Sequence, residues 1–391
     1  MITMETADNA LKTFYLDAVK EALDLKANPL LAKLERTSAN VVGKDVRKLV
    51  KAGMNGGIGA GTETGDLPTA INRKGYEFVA TLKNLYGTIE ISDKALRAAS
   101  SNEGAFVNVL NEEMQALIKS ASLNFGRMLF GDGSGLLGSI GTITDDGTMF
   151  SASNFSNFVE GMVVEMRKSD GSLLAGMENC VVVGLDREHN IVQIAGGTLS
   201  GTEIPSGTNV YLKGSKGLEI TGLAALFSDQ PIYGVDRNKD FMKPVSVQSD
   251  EGEFSDMLLQ KTLDQIEEIS GAKTNLIVCS WGVRRAIIKY YADKGVNLET
   301  VTLEDGTKAL SVAGIPLVAD RFCPRGTIYL LNTNDFKIHQ LCDWKWLEGE
   351  DGKILKQIPG KPVYTATLVK YAELMCENPC GQGCITAIRE I

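Results

Sequence analysis

The sequence predicts an α+β fold divided into several compact units, and three features predict it. In residues 275–331 an apolar run, Leu276-Ile277-Val278-Cys279, passes through Ser280 into an amphipathic stretch with Trp281, Val283, Ile287, Ile288 and Tyr291. Strand-like runs follow it. A long stretch after Ser100 keeps helical spacing, whereas residues 142–217 hold only short β-type runs between turn clusters. At 391 residues the chain is too long for one ordinary core.

The first element is an amphipathic helix: Leu11, Phe14, Tyr15, Ala18, Val19, Ala22 and Leu23 form one apolar stripe, and Asn28-Pro29 stops it. Such a stripe must lie on its own domain or on a neighbouring subunit. Residues 41–91 then read as a long two-stranded excursion. Its incoming arm is basic, with Lys44, Arg47, Lys48 and Lys51 against Asp45. Its tip, residues 53–65, holds six glycines in thirteen positions, with Glu63 and Asp66 beside them. The return alternates Tyr76, Phe78, Ala80 and Leu82, a period of two. So much glycine denies the tip a stable conformation of its own. No Gly-Lys-Ser/Thr ends the run, so a phosphate cradle does not fit.

Ser100 and Glu103 match a capping box for the next helix. Phe106, Val109, Leu110, Met114, Leu117, Ile118, Ala121 and Phe125 carry its stripe to Phe130, giving a length of about 43 Å. Glycines 131, 133 and 135 break it. The runs 161–166, 180–184 and 191–194, separated by Asp170-Gly171 and Pro205-Ser206-Gly207, predict a small β-barrel or sandwich. Phe254, Leu258, Leu259, Ile266 and Ile269 mark a further helix capped by Gly271. After the strand and helix of 276–291, Gly314-Ile315-Pro316-Leu317-Val318-Ala319-Asp320 and Thr327-Ile328-Tyr329-Leu330-Leu331 predict a hairpin closed at Pro324-Arg325-Gly326. Strands over 353–358 and 363–375 complete the reading.

Lys and Arg number 40 against 49 Asp and Glu, a net charge of −9. Such a chain is a poor holder of nucleic acid by phosphate neutralisation. No apolar run reaches the roughly 20 residues of a membrane helix, and 1–20 lacks the pattern of a secretion signal. Seven cysteines without framework spacing point to reduced thiols.

Several of these stretches, taken in order, resemble the Hong Kong 97-type fold of tailed-bacteriophage major capsid proteins. Residues 276–331 resemble its axial domain, and Arg127-Met128-Leu129-Phe130-Gly131-Asp132-Gly133 the end of its spine helix. Asn378-Pro379 through Ile385-Thr386-Ala387-Ile388 resembles its C-terminal end. The resemblance spans most of 30–141 and 219–391. It implies an N-terminal arm (1–40), an extended loop (41–91), a peripheral domain with the spine helix (92–141), an axial domain (218–345) and a return to the peripheral domain (346–391). Residues 142–217 fall outside the minimal fold and read as an inserted β domain.

The implied function is self-assembly into pentamers and hexamers of an icosahedral shell, in a virion assembled in the host cytoplasm. Implied partners are further copies of the chain, scaffolding, portal and decoration proteins, and packaged DNA held without sequence-specific contacts. A nanocompartment shell of the encapsulin type is the alternative within the fold; a zinc- or cysteine-dependent enzyme is the alternative outside it. The assembly contacts expected are Arg47, Lys48, Lys51, Met54, Gly57, Gly61 and Glu63 on the loop, with Glu348, Glu350 and Asp351 as an acidic cluster for its basic arm on a neighbour.

Neither catalytic groups nor a cofactor or metal are expected. The two histidines, His189 and His339, stand in no catalytic pattern. Asp236-x-Asn238-x-Asp240 starts like a calcium loop but has Phe241 where glycine belongs and Val247 where the bidentate glutamate belongs, so a turn-forming cluster is the reading. Cys376, Cys380 and Cys384, with His339 and Cys342 upstream, offer soft ligands at a spacing unlike zinc knuckles. Some members of the family join a loop lysine to an asparagine near the C-terminus beside a buried glutamate. Lys51, Lys74 and Asn378 are of those types, but their surroundings in sequence do not align, and exposed polar residues are the simpler reading.

Overall fold

The computed structural model describes residues 28–94, 103–144, 146–199, 207–250, 252–302, 308–349 and 352–391, without the side chains of 103–112 and 308. The N-terminal stripe, the capping box at Ser100, and Glu350 and Asp351 therefore lie outside the described residues.

A short helix α1 (Pro29–Lys33) opens the chain, followed by β1 (Glu35–Thr37), β2 (Val41–Val42), β3 (Asp45–Ala52), β4 (Lys74–Thr81) and β5 (Lys83–Ser92). The long helix α2 runs from Glu103 to Phe130. Leu117 lies against Gly87 of β5, and Met114, Ile118 and Phe125 are buried. Asn28 packs on the opposite flank: its Nδ2 donates to the Ser122 carbonyl at 3.0 Å. Gly126 is required there, because a Cβ would sit 2.0 Å from the Asn28 Oδ1.

Next come β6 (Leu136–Ile143), β7 (Met149–Ala152), β8 (Val163–Arg167), β9 (Cys180–Asp186), β10 (Ile191–Ala195) and β11 (Asn209–Leu212). They close into a barrel in the order β10-β7-β6-β11-β8-β9. Its interior is filled by Leu137, Phe150, Phe158, Val164, Met166, Val182, Val192 and Val210. The barrel starts at Leu136, ahead of the boundary at 142 that the turn spacing suggests. The glycine cluster that ends α2 is thus also the entry to the barrel.

The remaining elements are α3 (Leu223–Leu226), β12 (Val245–Gln248), α4 (Asp256–Ser270), β13 (Leu276–Cys279), α5 (Trp281–Asp293), β14 (Glu299–Thr302), β15 (Lys308–Val312), β16 (Ile315–Ala319), β17 (Ile328–Leu331), β18 (Phe336–Trp346), β19 (Lys356–Gln357), β20 (Val363–Cys376) and β21 (Gly383–Thr386). Ser255 caps α4 by accepting from the Leu258 amide at 3.2 Å, and Gly271 ends it at φ 66°.

A seven-stranded sheet has the order β12-β21-β17-β13-β16-β15-β14. It corrects one expectation. β16 and β17 do not form a hairpin with each other; β13 lies between them, parallel to β16 and antiparallel to β17. All four residues of β13 are buried, so the strand needs a partner on both edges, and the Pro324 turn crosses over its end instead of closing a ladder. Helices α4 and α5 cover one face of this sheet through Leu259, Ile266, Val283 and Ile287. The other face packs towards a second core shared with α2 and the five-stranded sheet. In that sheet β20 is central: β18 and β19 take one edge, β5 takes the other, and β1 pairs outside β18.

Candidate assembly surfaces

The excursion of 41–91 is a hairpin in which β3 and β4 pair from Asp45↔Thr81 to Ala52↔Lys74. Alternation sends Val46, Lys48 and Val50 to one face, and Arg47, Leu49 and Lys51 to the other. The first face docks on the body: the rings of Tyr76 and Phe241 lie 4.8 Å apart, and those of Phe78 and Tyr233 5.5 Å apart. Arg237, in the middle of the Asp236–Asp240 fragment, holds that docking segment together. Its guanidinium donates to the carbonyls of Gln230 at 3.0 Å, Met242 at 2.7 Å, and Ala225 at 2.7 Å. Around it, Asn238 N donates to Asp236 Oδ1 at 2.9 Å, so the calcium-like fragment is a turn.

Beyond Ala52 and Lys74 the hairpin holds few contacts of its own. The Gly56 amide donates to the Ile71 carbonyl at 3.2 Å and Arg73 Nε to the Gly53 carbonyl at 2.7 Å. Gly57, Gly61 and Glu63 are exposed. So are Met54 (79%), Ile58 (70%), Leu67 (90%) and Ile71 (60%), a concentration of apolar side chains at the end of an arm. Burying such a group on a partner removes about 25 cal/mol per Å² of apolar surface from water.

Part of the basic arm is paired within the chain. Lys48 turns inward and pairs with Glu377, whose Oε1 also lies 3.7 Å from Lys337 Nζ; Lys337 in turn reaches Glu35 at 3.4 Å. Arg47 pairs within the hairpin, with Asp45 at 3.8 Å and Glu77 at 3.6 Å. Two of the three cations assigned to a neighbour's acids therefore have acids in their own chain. Alternation would have shown that Arg47 and Lys48 face opposite ways; nothing near Glu377 in sequence marks it as a partner. Lys51 and Glu348 are exposed, far apart in the chain, and no contact joins them.

Among the described residues no group of three or more His, Cys, Asp or Glu is placed to hold a metal. Burial pushes the thiol of Cys376 far up and that of Cys384 to about 12. Cys380 donates to Asn378 Oδ1 at 3.3 Å, and His339 bonds the Ala39 carbonyl at 2.9 Å. Asn378 is tied locally, its Nδ2 donating to Asp335 at 3.4 Å, while Lys51 and Lys74 are exposed. The fully buried Glu373 accepts from the Thr221 amide at 2.6 Å and the Leu374 amide at 3.1 Å, and burial raises its carboxyl to about 7. Among the described residues no helix is long and apolar enough to cross a membrane.

No family model and no curated protein matches the sequence. Solved structures do. A chain of the cyanophage A-1(L) capsid asymmetric unit superposes with a TM-score of 0.57 at 11% identity, covering 93% of this chain and 94% of that one. A capsid chain of a native GTA particle gives 0.49 at 12% identity over 94% and 92%. The SrpI encapsulin of Synechococcus elongatus PCC 7942 gives 0.44 at 12% identity over 95% of both chains. The first likeness shows that this chain shares the fold of the cyanophage capsid chain; the other two, below 0.5, add nothing to that assignment.

Proposed function

We propose that the chain is a major capsid protein of a tailed bacteriophage with the Hong Kong 97-type fold, assembling with itself into pentamers and hexamers that close an icosahedral shell. The shared fold supports the reading, and one observation carries it: an extended hairpin whose root is fastened to the body and whose end exposes four large apolar side chains. A lone soluble chain has little use for such an arm. On this reading the layout is N-terminal arm, extended loop, peripheral domain around α2, axial domain around the seven-stranded sheet, and the barrel as an insertion. Weak contacts repeated over many subunits then hold the shell. Scaffolding, portal and decoration proteins and packaged DNA are the further partners, in a virion assembled in the host cytoplasm.

Electron microscopy of the purified protein, with light scattering across salt and protein concentration, tests the reading. Rings or closed particles are expected. A monomer under every condition would sink it.

A further inference from the structure

The outer surfaces of α4 and α5 are complementary in charge, and each carries exposed apolar residues. On α5, Trp281 (52% exposed), Arg285, Ile288 (42% exposed) and Ala292 follow one another at steps of four, three and four residues, one stripe facing away from the sheet. Arg284 and Lys289 flank it. The guanidinium carbon of Arg284 stands 5.6 Å from the Trp281 ring, and its Nε is buried with no hydrogen-bond partner. On α4, Met257 (78% exposed), Lys261, Asp264 and Glu268 repeat the same steps, with Glu267 beside them. Asp264 accepts only from Gln260, at 2.7 Å, and neither Glu267 nor Glu268 has an ion-pair partner among the described residues. Lys261 and Asp293 dilute the two fields without reversing either.

Among the described residues no ion pair joins the two helices within one molecule. Both pack on the same face of the sheet, and the start of α4 meets the end of α5, where Asp256 N donates to Tyr290 Oη at 3.3 Å and Phe254 packs on Tyr290 at 5.3 Å. Their outer stripes both face away from that junction's core. We propose that these stripes are two halves of one contact between copies of this chain, α5 of one copy seated on α4 of the next. Trp281 and Ile288 would bury against Met257, while Arg284 and Lys289 meet Asp264 and Glu268. Aromatic and arginine side chains in such a position dominate binding. A contact between two different patches is heterologous, so it repeats from copy to copy and closes a ring when the rotation allows. The inference rests on the shell reading and gives it a specific subunit contact.

Charge reversal tests it in the full-length protein by sedimentation velocity and thermal melting. Arg284→Glu with Lys289→Glu, and separately Asp264→Lys with Glu268→Lys, should each lower the assembled fraction at least tenfold while melting stays within a few degrees of the parent. Combining all four changes in one chain should restore assembly, because the opposite charges face each other again, and mixing the two variants should raise the assembled fraction through even-numbered rings in which they alternate. Variants that assemble like the parent, or a mixture no better than its parts, would overturn the contact while leaving the shell reading intact. Should the reversed variants melt early, Ile288→Ser and Met257→Ser replace them: each should lower the assembled fraction while melting stays near the parent, and parent-like assembly of both would overturn the contact. A parent that never assembles defeats both the reading and the contact.

Discussion

The barrel and the extended hairpin are both β excursions from the main body, yet they solve the edge problem in opposite ways. The barrel pairs every strand on both sides and fills its inside with its own side chains. The hairpin, with β2 beside it, makes an open three-stranded sheet with one face on the body and a tip whose large apolar residues touch little. Self-sufficiency separates them. A closed excursion keeps its stability inside the subunit, whereas an open one keeps its root there and leaves its end for something else.

The largest expected effect on monomer stability therefore lies in the barrel. Phe150 is fully buried and meets Phe158 edge to face at 6.3 Å. Phe150→Ala should cost about 3–5 kcal/mol of the barrel's stability, read as an early transition in calorimetry or hydrogen exchange confined to 136–212. If the barrel shares one cooperative unit with the body, the whole chain will melt early instead.

A smaller effect lies in the core between the two regions. Glu373 titrates near 7 in the folded chain, above the 4.5 of an ordinary glutamate. Between those values the folded chain holds a proton that the unfolded chain has lost, so stability falls as pH rises through that window and is flat above it. The slope from this group is at most about 1.4 kcal/mol per pH unit. Glu373→Gln keeps an acceptor for the Thr221 and Leu374 amides and removes the charge. It should melt higher than the parent at pH 8 and show a shallower pH profile. Asp320, raised by burial to about 6, leaves a residual slope at lower pH. An unchanged profile in the Gln variant would place the titration elsewhere.

The hairpin's root comes next. Lys48→Glu sets two carboxylates against each other at Glu377 and should cost about 1–2 kcal/mol, since the pair is mostly covered. Arg47→Glu, on the half-exposed outer face, should change monomer melting by less than about 1 kcal/mol. Equal effects of the two would mean that the hairpin's faces are not distinguished as alternation places them.

Much of this was legible in the sequence, and what was not has a physical reason. Periodicity alone located α2, α4 and α5, the barrel's β-rich texture and the long hairpin, because each rests on local apolar spacing. The insertion of β13 between β16 and β17 was not, since strand partnership is set by nonlocal burial and a turn at Pro324 serves either topology. The clasp of Lys48 to Glu377 was equally hidden: the two residues are hundreds of positions apart, and only the folded β20 brings them together. Charge type alone suggested acids on a neighbour for the whole basic arm; it could not show that Lys48 faces Glu377 while Arg47 and Lys51 lie on the outer face.

The smallest expected effect on the monomer belongs to the tip, and there the comparison is sharpest. Residues 54–61 contain Met54 and Ile58, both exposed, and their backbone has few internal hydrogen bonds. Deleting Met54–Gly61 removes almost nothing that the folded subunit uses, so melting should stay within a few degrees of the parent. Assembly should respond quite differently. Ile58→Ser with Leu67→Ser, which preserves loop length, takes away two apolar anchors worth about 1.5–3 kcal/mol each if fully buried on a partner. Multiplied around a lattice, that loss should abolish or deform particles in electron micrographs. Normal particles from both variants would make the tip a surface ornament, and an unfolded monomer would place it in the subunit's core; either result breaks the division between the self-contained barrel and the outward-directed hairpin.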